Sequence, residues 1–222
     1  MAKTELLLSE IFYSIQGEST FAGLPCLFFR LHGCNLRCAY CDTRHSFEEP
    51  GRPMSIAALL VAAGKYPEAI IEVTGGEPLL QEATAPLLTV LARQDRVILL
   101  ETNGSLPIVS LPDGVHIIMD VKCPGSGNAI FYQDNLAEIA RRNHEQGWVE
   151  VKFVLSSWQD YQFARDFLRD NYLPAATPVH LSPVASRLAL ADLASWMLQD
   201  GINARLQPQL HRFIWPEAER GR

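Results

Sequence analysis

Short apolar segments alternate with segments of helical spacing along most of the chain. The apolar segments that indicate strands are Cys26–Leu31, Ala69–Thr74, Val97–Thr102, Val115–Val121, Trp148–Leu155, Val179–Leu181 and a shorter one near Ala204–Leu206. Apolar residues recur at helical spacing in Ser55–Lys65, where Ser55 is the predicted N-cap, and in Glu82–Arg93, Asn135–Gln146, Asp160–Arg169 and Ala189–Gln199. Continuous apolar strands alternating with helices are typical of a parallel sheet covered on its outer face. The pattern predicts an α/β fold, specifically an incomplete parallel (β/α) barrel.

A single domain spanning residues 1–222 is the expected organisation. No repeat, low-complexity tract or long Pro/Gly/Ser linker divides the sequence, although Glu48–Pro53 is predicted to be an exposed loop. A chain of 222 residues that is 48% hydrophobic is long enough to bury one full core.

Charge and the amino-terminal segment exclude several classes of protein. The net charge of −6 would repel a nucleic-acid backbone, and no Lys/Arg-rich run offers a local basic footprint. The apolar run Leu6-Leu7-Leu8 is too short for a signal peptide. No segment approaches the ~20 apolar residues of a membrane span. We therefore expect a cytoplasmic protein that binds neither nucleic acid nor membrane directly.

Chemically distinctive residues directly follow the predicted strands. In chain order these are the cysteines after Leu31, Gly75-Gly76-Glu77-Pro78, Asn103-Gly104, Lys122-Cys123-Pro124 and Ser182-Pro183. In parallel α/β barrels the active site is built from loops at the carboxyl ends of the strands. The order of motifs thus predicts one active site at that end.

Three of the five cysteines, Cys34, Cys38 and Cys41, lie within eight positions. Such crowding differs from the even framework of a disulfide-rich secreted protein and indicates metal binding. Thiolates are the standard ligands of iron–sulfur clusters, and a [4Fe–4S] cluster held by three cysteines leaves one iron open to a small molecule. The loop therefore predicts one catalytic [4Fe–4S] cluster.

Two other interpretations of the cysteines remain open. A structural zinc site could be completed by His32 or His45, although such sites usually draw their ligands as two pairs and no second pair follows. The cysteines could also be three small buried residues.

The cysteine loop, with Tyr40 just before its last cysteine, and the Gly75-Gly76-Glu77-Pro78 turn together resemble the two signatures of the radical S-adenosylmethionine superfamily. The resemblance implies that the open iron chelates S-adenosylmethionine and that the reduced cluster splits it to a 5′-deoxyadenosyl radical. The residues that it assigns to the S-adenosylmethionine site are Tyr40, Asp42, Gly76, Glu77, Asn103, Asp120 and Lys122.

A closer resemblance, from about residue 10 to the Gln207–His211 tail, is to the 7-carboxy-7-deazaguanine synthase family. It rests on the segment Phe12–Glu18, on Arg30 and on Cys41-Asp42-Thr43. The family implies a ring contraction of 6-carboxy-5,6,7,8-tetrahydropterin with loss of ammonia, in the biosynthesis of queuosine precursors. It also implies S-adenosylmethionine as a reusable cofactor, a flavodoxin or ferredoxin electron donor, and a homodimer.

The same resemblance assigns the substrate and magnesium sites. The substrate residues are Ile15, Gln16, Gly17, Glu18, Arg30 and Thr74, and the Mg²⁺ ligand is Thr43. A carboxylate such as Glu18 can pair with the amidine edge of a pterin, and Arg30 can grip the substrate carboxylate by a bidentate fork. Magnesium usually takes few protein ligands, so a single threonine is reasonable.

Two departures and two rival functions accompany this assignment. Ser19 stands where the family commonly has Gly, and Asp120-Val121-Lys122 stands where many members have Ser-Pro-Lys. One rival is a glycyl-radical-type activating enzyme, which is also small and also has one cluster and a Gly-Gly-Glu-Pro turn. The other is a zinc-stabilised binding module.

Overall fold

The computed structural model describes residues 4–144, 147–218 and 220–221. The strands are β1 Glu5–Ile15, β2 Pro25–Leu31, β3 Arg52–Ser55, β4 Ile70–Gly75, β5 Ile98–Thr102, β6 His116–Asp120, β7 Val149–Leu155, β8 Val179–Pro183 and β9 Arg205–Leu206. The helices are α1 His45–Glu48, α2 Ile56–Ala63, α3 Thr84–Leu91, α4 Asn135–Arg142, α5 Trp158–Asp170, α6 Leu190–Asp200 and α7 Leu210–Ile214. The predicted carboxyl end of the fourth helix, at Gln146, lies outside the described residues.

The strands form one nine-stranded sheet in the order β3-β1-β2-β4-β5-β6-β7-β8-β9. The pairs from β2 to β9 are parallel, whereas β1 pairs antiparallel with both β2 and β3. The terminal strands β3 and β9 do not pair with each other, so the barrel stays open. The predicted α/β fold with an incomplete barrel is confirmed, with an antiparallel two-strand extension added at one edge.

That extension corrects the prediction of an exposed loop at Glu48–Pro53. Glu48 ends α1, while Arg52 and Pro53 belong to β3 and pair with Leu8 and Leu7 of β1. Proline lacks an N–H and is tolerated here because β3 is an edge strand.

The two faces of the sheet have different chemistry. Alternate residues of β7, such as Val151 and Phe153, pack with the helices in the main apolar core. The intervening residues Glu150 and Lys152 are buried on the inner face. This period of two follows from strand geometry. The apolar face fixes the strands, and the inner face is left to carry polar groups.

The loop between β1 and β2 covers the end of the barrel at which the parallel strands begin. Ile15 pairs with Pro25 at the start of β2, and the next residue, Cys26, pairs with Ile70 at the start of β4. The cysteine loop follows Leu31 at the opposite end. Residues 16–24 therefore enter the barrel from one opening while the cysteines cover the other.

No helix in the described part of the chain is long and apolar enough to cross a membrane.

Candidate active site

A cleft of about 560 Å³ occupies the open barrel. It runs from the cysteine loop to the Gln16-Gly17-Glu18 segment of the β1–β2 loop. All but one of the predicted site residues line it, namely Ile15, Gln16, Gly17, Glu18, Arg30, Cys34, Cys38, Tyr40, Cys41, Asp42, Thr43, Thr74, Gly76, Asn103, Asp120 and Lys122. The exception is Glu77. The fold thus brings residues from both openings of the barrel into one cavity.

The three clustered cysteines share one wall of this cleft. Cys34, Cys38 and Cys41 are half-buried and form no disulfide. Burial raises the pKa of the Cys34 and Cys38 thiols. Within the described residues, no three His, Cys, Asp or Glu side chains already surround one point as they would a metal ion. The fit to a cluster therefore rests on the donors themselves, because three free thiols on one cavity wall are the ligand set that an iron–sulfur cluster takes.

The Gly-Gly turn packs directly beneath the cysteine loop. A Cβ atom at Gly76 would lie 2.3 Å from the carbonyl oxygen of Gly33 and 2.6 Å from Cys34 Cβ. The next backbone N–H, at Glu77, donates to that same Gly33 oxygen at 2.8 Å. Only glycine lets the two segments approach this closely.

Replacing Gly76 by alanine should therefore displace the cysteine loop. We expect a loss of about 1–3 kcal/mol in the free energy of unfolding, as for other overpacked sites, and a lower iron content after cluster reconstitution. Thermal unfolding together with iron analysis measures both effects. Gly64→Ala is the comparison for the added methyl group alone, since Gly64 has a φ of −63° and its Cβ would meet nothing closer than 3.6 Å. Full iron content in Gly76→Ala would contradict the packing argument.

Glu77 lies behind the cleft wall rather than in it. Its buried carboxylate accepts hydrogen bonds from Thr102 Oγ1, from the Leu79 N–H and, at 2.7 Å, from the Asn103 N–H. Burial raises the pKa of Glu77. The Asn103 side-chain amide lies 4.0 Å from Cys34 Sγ. The geometry makes Glu77 a support for Asn103 and places no cleft-facing surface on it.

A chain of ionic contacts forms the floor of the cleft. The ammonium of Lys152 lies 2.5 Å from a carboxylate oxygen of Glu18 and 2.5 Å from one of Glu101. Thr74 Oγ1 donates to Glu101 at 2.9 Å, and Gln209 Nε2 donates to Glu18 at 2.6 Å. Burial would lower the pKa of Lys152, but Glu101 and Glu18 raise it well above its ordinary value. Lys152 is thus a buried cation between two carboxylates.

A further buried carboxyl group, that of Glu72, lies beside this cation. Glu72 accepts a hydrogen bond from Gln16 Nε2, and the Glu18 N–H donates to Gln16 Oε1 at 3.2 Å. Burial, and then the charge of Glu101, raise the pKa of Glu72 well above its ordinary value. The floor therefore presents carboxyl groups, an ammonium and an amide, which suits a heterocycle with neighbouring donors and acceptors.

Arg30 is held at the side of the cleft by a carboxylate. Arg30 Nε donates to Glu10 Oε1 at 2.7 Å, and His45 Nε2 lies 3.3 Å from the same oxygen. The guanidinium also lies 5.5 Å from the centroid of the Phe12 ring. Because Glu10 engages Nε, the two terminal nitrogens remain for a bidentate fork with a carboxylate ligand.

The comparisons with known proteins agree with this geometry. Residues 29–121 match the model of the radical SAM superfamily. The 7-carboxy-7-deazaguanine synthase of Chlorobaculum tepidum is 42% identical over 97% of this chain and 97% of its own length. That of Koribacter versatilis is 39% identical over 96% of this chain and 99% of its own.

The chain belongs to the 7-carboxy-7-deazaguanine synthase family. The predicted resemblance is confirmed, and the comparisons favour it over the activating enzyme and the zinc-stabilised module. The crystal structure of QueE from Escherichia coli superposes with a TM-score of 0.75 at 23% identity, over 93% of this chain and 95% of that one. This likeness shows the shared fold.

As a radical SAM enzyme of this family, the chain uses a [4Fe–4S] cluster and S-adenosylmethionine. The three free thiols fit the cluster. Next to them, Asp120 Oδ2 binds the ammonium of Lys122 at 2.5 Å, while the buried Asp120 Oδ1 has no hydrogen-bond partner among the described residues. Burial would lower the pKa of Lys122, but Asp120 raises it. A buried acceptor without a partner on a cavity wall points to a ligand donor.

The departure from the family at Ser19 is visible in the backbone. Ser19 is the one residue other than glycine with positive φ in the described chain, at 65°. Its N–H donates to Gln207 Oε1 at 2.8 Å, and its carbonyl oxygen accepts from Gln207 Nε2 at 2.9 Å. This two-point contact stabilises a conformation that glycine would adopt without strain.

Several residues of the cleft went unassigned in the sequence. Lys152 lies within the apolar strand β7, and the structure turns it inward. Glu72 and Glu101 carried one signal, a charged residue within an apolar strand. The family resemblance reaches the Gln207–His211 tail without giving it a role, yet the Leu210 N–H donates to the Gly17 carbonyl oxygen at 3.0 Å and His211 lines the cleft.

Proposed function

We propose that this protein converts 6-carboxy-5,6,7,8-tetrahydropterin to 7-carboxy-7-deazaguanine with loss of ammonia, as a step in queuosine precursor biosynthesis. The name shared by its relatives, 7-carboxy-7-deazaguanine synthase, supports the product. The observation that carries the proposal is one cleft that joins a three-cysteine wall to a floor of paired charges. A radical formed at that wall would act on a polar heterocycle held at the floor.

The wall residues would hold the cofactors. Cys34, Cys38 and Cys41 would bind the cluster, and S-adenosylmethionine bound there supplies the 5′-deoxyadenosyl radical. Residues that line the same wall would bind S-adenosylmethionine, with Glu77 acting from behind; they are Tyr40, Asp42, Gly76, Asn103, Asp120 and Lys122. Tyr40 is oriented by donating to the Val154 carbonyl oxygen at 3.0 Å.

The floor residues would orient the substrate. Glu18 would accept hydrogen bonds from the amidine edge of the pterin, with Gln16 and the backbone of Ile15 and Gly17 alongside it. Arg30 would grip the substrate carboxylate with its terminal nitrogens. Thr74, fixed by its hydrogen bond to Glu101, lies on the same floor.

Thr43 would contribute to a magnesium site shared with the substrate. Its hydroxyl lies 3.8 Å from Cys41 Sγ, and both residues line the cleft. Because Mg²⁺ completes its octahedral shell with water and ligand oxygens, one protein ligand beside a carboxylated substrate is sufficient.

The proposal extends to the working state of the protein. The whole chain would act as one domain in a cytoplasmic homodimer, reduced by a flavodoxin or ferredoxin and binding no nucleic acid directly. All five cysteines are free, which suits a reducing compartment. The net charge of −6 disfavours nucleic acid, and the edge strands β3 and β9 would benefit from burial in an interface.

The substrate assignment is tested by Arg30→Lys in the reconstituted enzyme under anaerobic conditions. Lysine keeps the charge but loses the fork, so we expect KM for the carboxypterin to rise about 10–100-fold, the equivalent of ~1.5–3 kcal/mol. The KM for S-adenosylmethionine should not change. Steady-state kinetics with chromatographic detection of the deazapurine measure both constants.

Arg165→Lys is the matched control. Arg165 lies on α5, away from the cleft, and forms an ion pair with Asp200 of α6 at 3.1 Å. It should leave both constants unchanged. If wild-type enzyme made no deazapurine and instead transferred a radical to a partner protein, the proposed reaction would be wrong.

A further inference from the structure

A second buried ionic group lies at the opposite end of the barrel from the cysteines. Glu150 Oε1 lies 2.8 Å from His116 Nε2, and Glu150 Oε2 lies 2.7 Å from His180 Nε2. The side chains of Glu150 and His180 are fully inaccessible to solvent. Burial would raise the pKa of Glu150, but the hydrogen bond with His116 and the close contact with His180 lower it to about 2. Glu150 is therefore a buried carboxylate at neutral pH.

This carboxylate also holds the tip of the β1–β2 loop. The Thr20 N–H lies 3.0 and 3.2 Å from its two oxygens, and the Thr20 hydroxyl binds it as well. The ring of the next residue, Phe21, meets the His116 ring edge-on with centroids 4.9 Å apart. Only an acceptor with several lone pairs can receive this many donors at once, which is the chemistry of an ionised carboxylate.

The anchored tip lies two residues from the floor of the cleft. Thr20 follows Glu18 and Ser19 in the chain, and Ser19 is fixed on both sides of its peptide by Gln207. Across the base of the loop, the Gln16 N–H donates to the Leu24 carbonyl oxygen at 2.8 Å. A loop this short, pinned at its tip and at its base, transmits a displacement of the tip to Glu18.

The anchoring group does not itself line the cleft. None of His116, Glu150 and His180 is among the residues that surround the cavity. On the inner face, Ile118 lies one step above His116 along β6 and packs with Phe28 in a small apolar layer that includes Phe21 as a neighbour. A ligand in the cleft therefore meets the loop and not the group beneath it.

We propose that Glu150, supported by His116 and His180, is a positioning residue that sets the location of Gln16 and Glu18 in the cleft through its contacts with Thr20. The proposal rests on the substrate role of Gln16 and Glu18 argued above. It predicts that residues at the end of the barrel opposite the cysteines control substrate affinity without touching the substrate or the cofactor.

The test is Glu150→Gln in the cluster-loaded enzyme. The amide keeps the shape but offers one acceptor oxygen, so Thr20 loses part of its anchor. We expect KM for the carboxypterin to rise about tenfold, as for the loss of one charge-assisted hydrogen bond, with kcat and the KM for S-adenosylmethionine unchanged. Hydrogen exchange at the Thr20 amide should accelerate.

Glu138→Gln is the matched control. Glu138 is a buried carboxylate on α4 that binds Arg141 and Arg142 and has no contact with the loop. It should lower thermal stability without changing KM. An equal rise in KM in this control would overturn the proposal, because general destabilisation would then explain the effect.

Thr20→Val keeps the proposal testable if Glu150→Gln fails to fold. It removes the hydroxyl and retains the N–H, so a smaller rise in KM is expected. In the double variant the effects should be less than additive, since both act through one contact. Additive effects would overturn the proposal.

Glu18→Gln separates failure of the positioning role from failure of the substrate assignment. If Glu18→Gln raises KM and Glu150→Gln does not, the positioning role fails while the substrate site stands. If Glu18→Gln has no effect, the substrate assignment fails first.

Discussion

Replacing Cys38 by alanine is expected to abolish both the brown absorbance of the iron–sulfur cluster and the cleavage of S-adenosylmethionine. Cys38 lies on the cleft wall with the other two clustered thiols, and the Cys41 N–H donates to its carbonyl oxygen at 3.1 Å. With two thiols left, a further iron loses its protein ligand and the cluster is no longer held. Absorbance, iron and sulfide analysis and an anaerobic cleavage assay measure the loss.

Cys26→Ala is the matched control for this experiment. Cys26 is a free, fully buried cysteine in the small apolar layer inside the barrel and does not line the cleft. Its loss should reduce stability by roughly 1 kcal/mol and leave the cluster in place. Retained cleavage in Cys38→Ala would mean that the loop is misassigned. One zinc and no iron in the wild-type protein after reconstitution would restore the zinc-stabilised module as the interpretation.

The cofactor wall was predictable from the sequence because its residues are local. The cysteines lie within eight positions, and the Gly-Gly turn follows a strand, so spacing and strand order were enough to place both at one end of a parallel barrel. The structure adds the reason for the glycine at position 76, where a Cβ atom would overlap with Gly33 and Cys34.

The floor was less predictable because its contacts join residues that are far apart in the chain. Glu18 and Lys152 are separated by 134 positions, and Gln16 and Glu72 by 56. A charged residue in an apolar strand indicates an inward group but does not identify its partner. The Gln16-Gly17-Glu18 segment also enters from the end opposite the cysteines, so the rule that places active sites after parallel strands does not locate it.

The extension at the sheet edge was missed for a different reason. Ser9, Glu10 and Ser14 interrupt the apolar run of β1, and Pro53 is a residue that strand propensity disfavours. Pairing with β2 and β3 overrides these local preferences. Glu10 of β1 then accepts a hydrogen bond from Arg30 of β2, the residue proposed to bind the substrate carboxylate.

Replacing Lys152 by methionine is expected to have the largest effect on stability. Methionine has nearly the length of lysine but no charge, so Glu18 and Glu101 would be left as neighbouring carboxylates in a mostly buried floor. Removing one partner from a buried ionic group costs about 3–5 kcal/mol in the free energy of unfolding. Activity should fall to background, because repulsion would move Glu18 away from the substrate. Urea denaturation and the deazapurine assay measure the two losses.

The pH dependence of the Lys152→Met deficit identifies its cause. Burial would raise the pKa of Glu101, but in the native protein Lys152 lowers it to about 2, so its ionised form contributes stability above the ordinary pKa of a glutamate. Without Lys152, burial would raise the pKa of Glu101 above that of the unfolded chain, and the deficit would be largest at pH 7. Lowering the pH to 5 should favour the protonated form of Glu101 and reduce the deficit. Lys65→Met, at an exposed position, should show neither effect.

In the Lys152→Met/Glu101→Gln double variant, stability should partly return because one of the opposed charges is gone. A deficit equal at both pH values and unchanged in the double variant would assign the loss to packing rather than to the charges that hold Glu18 in place.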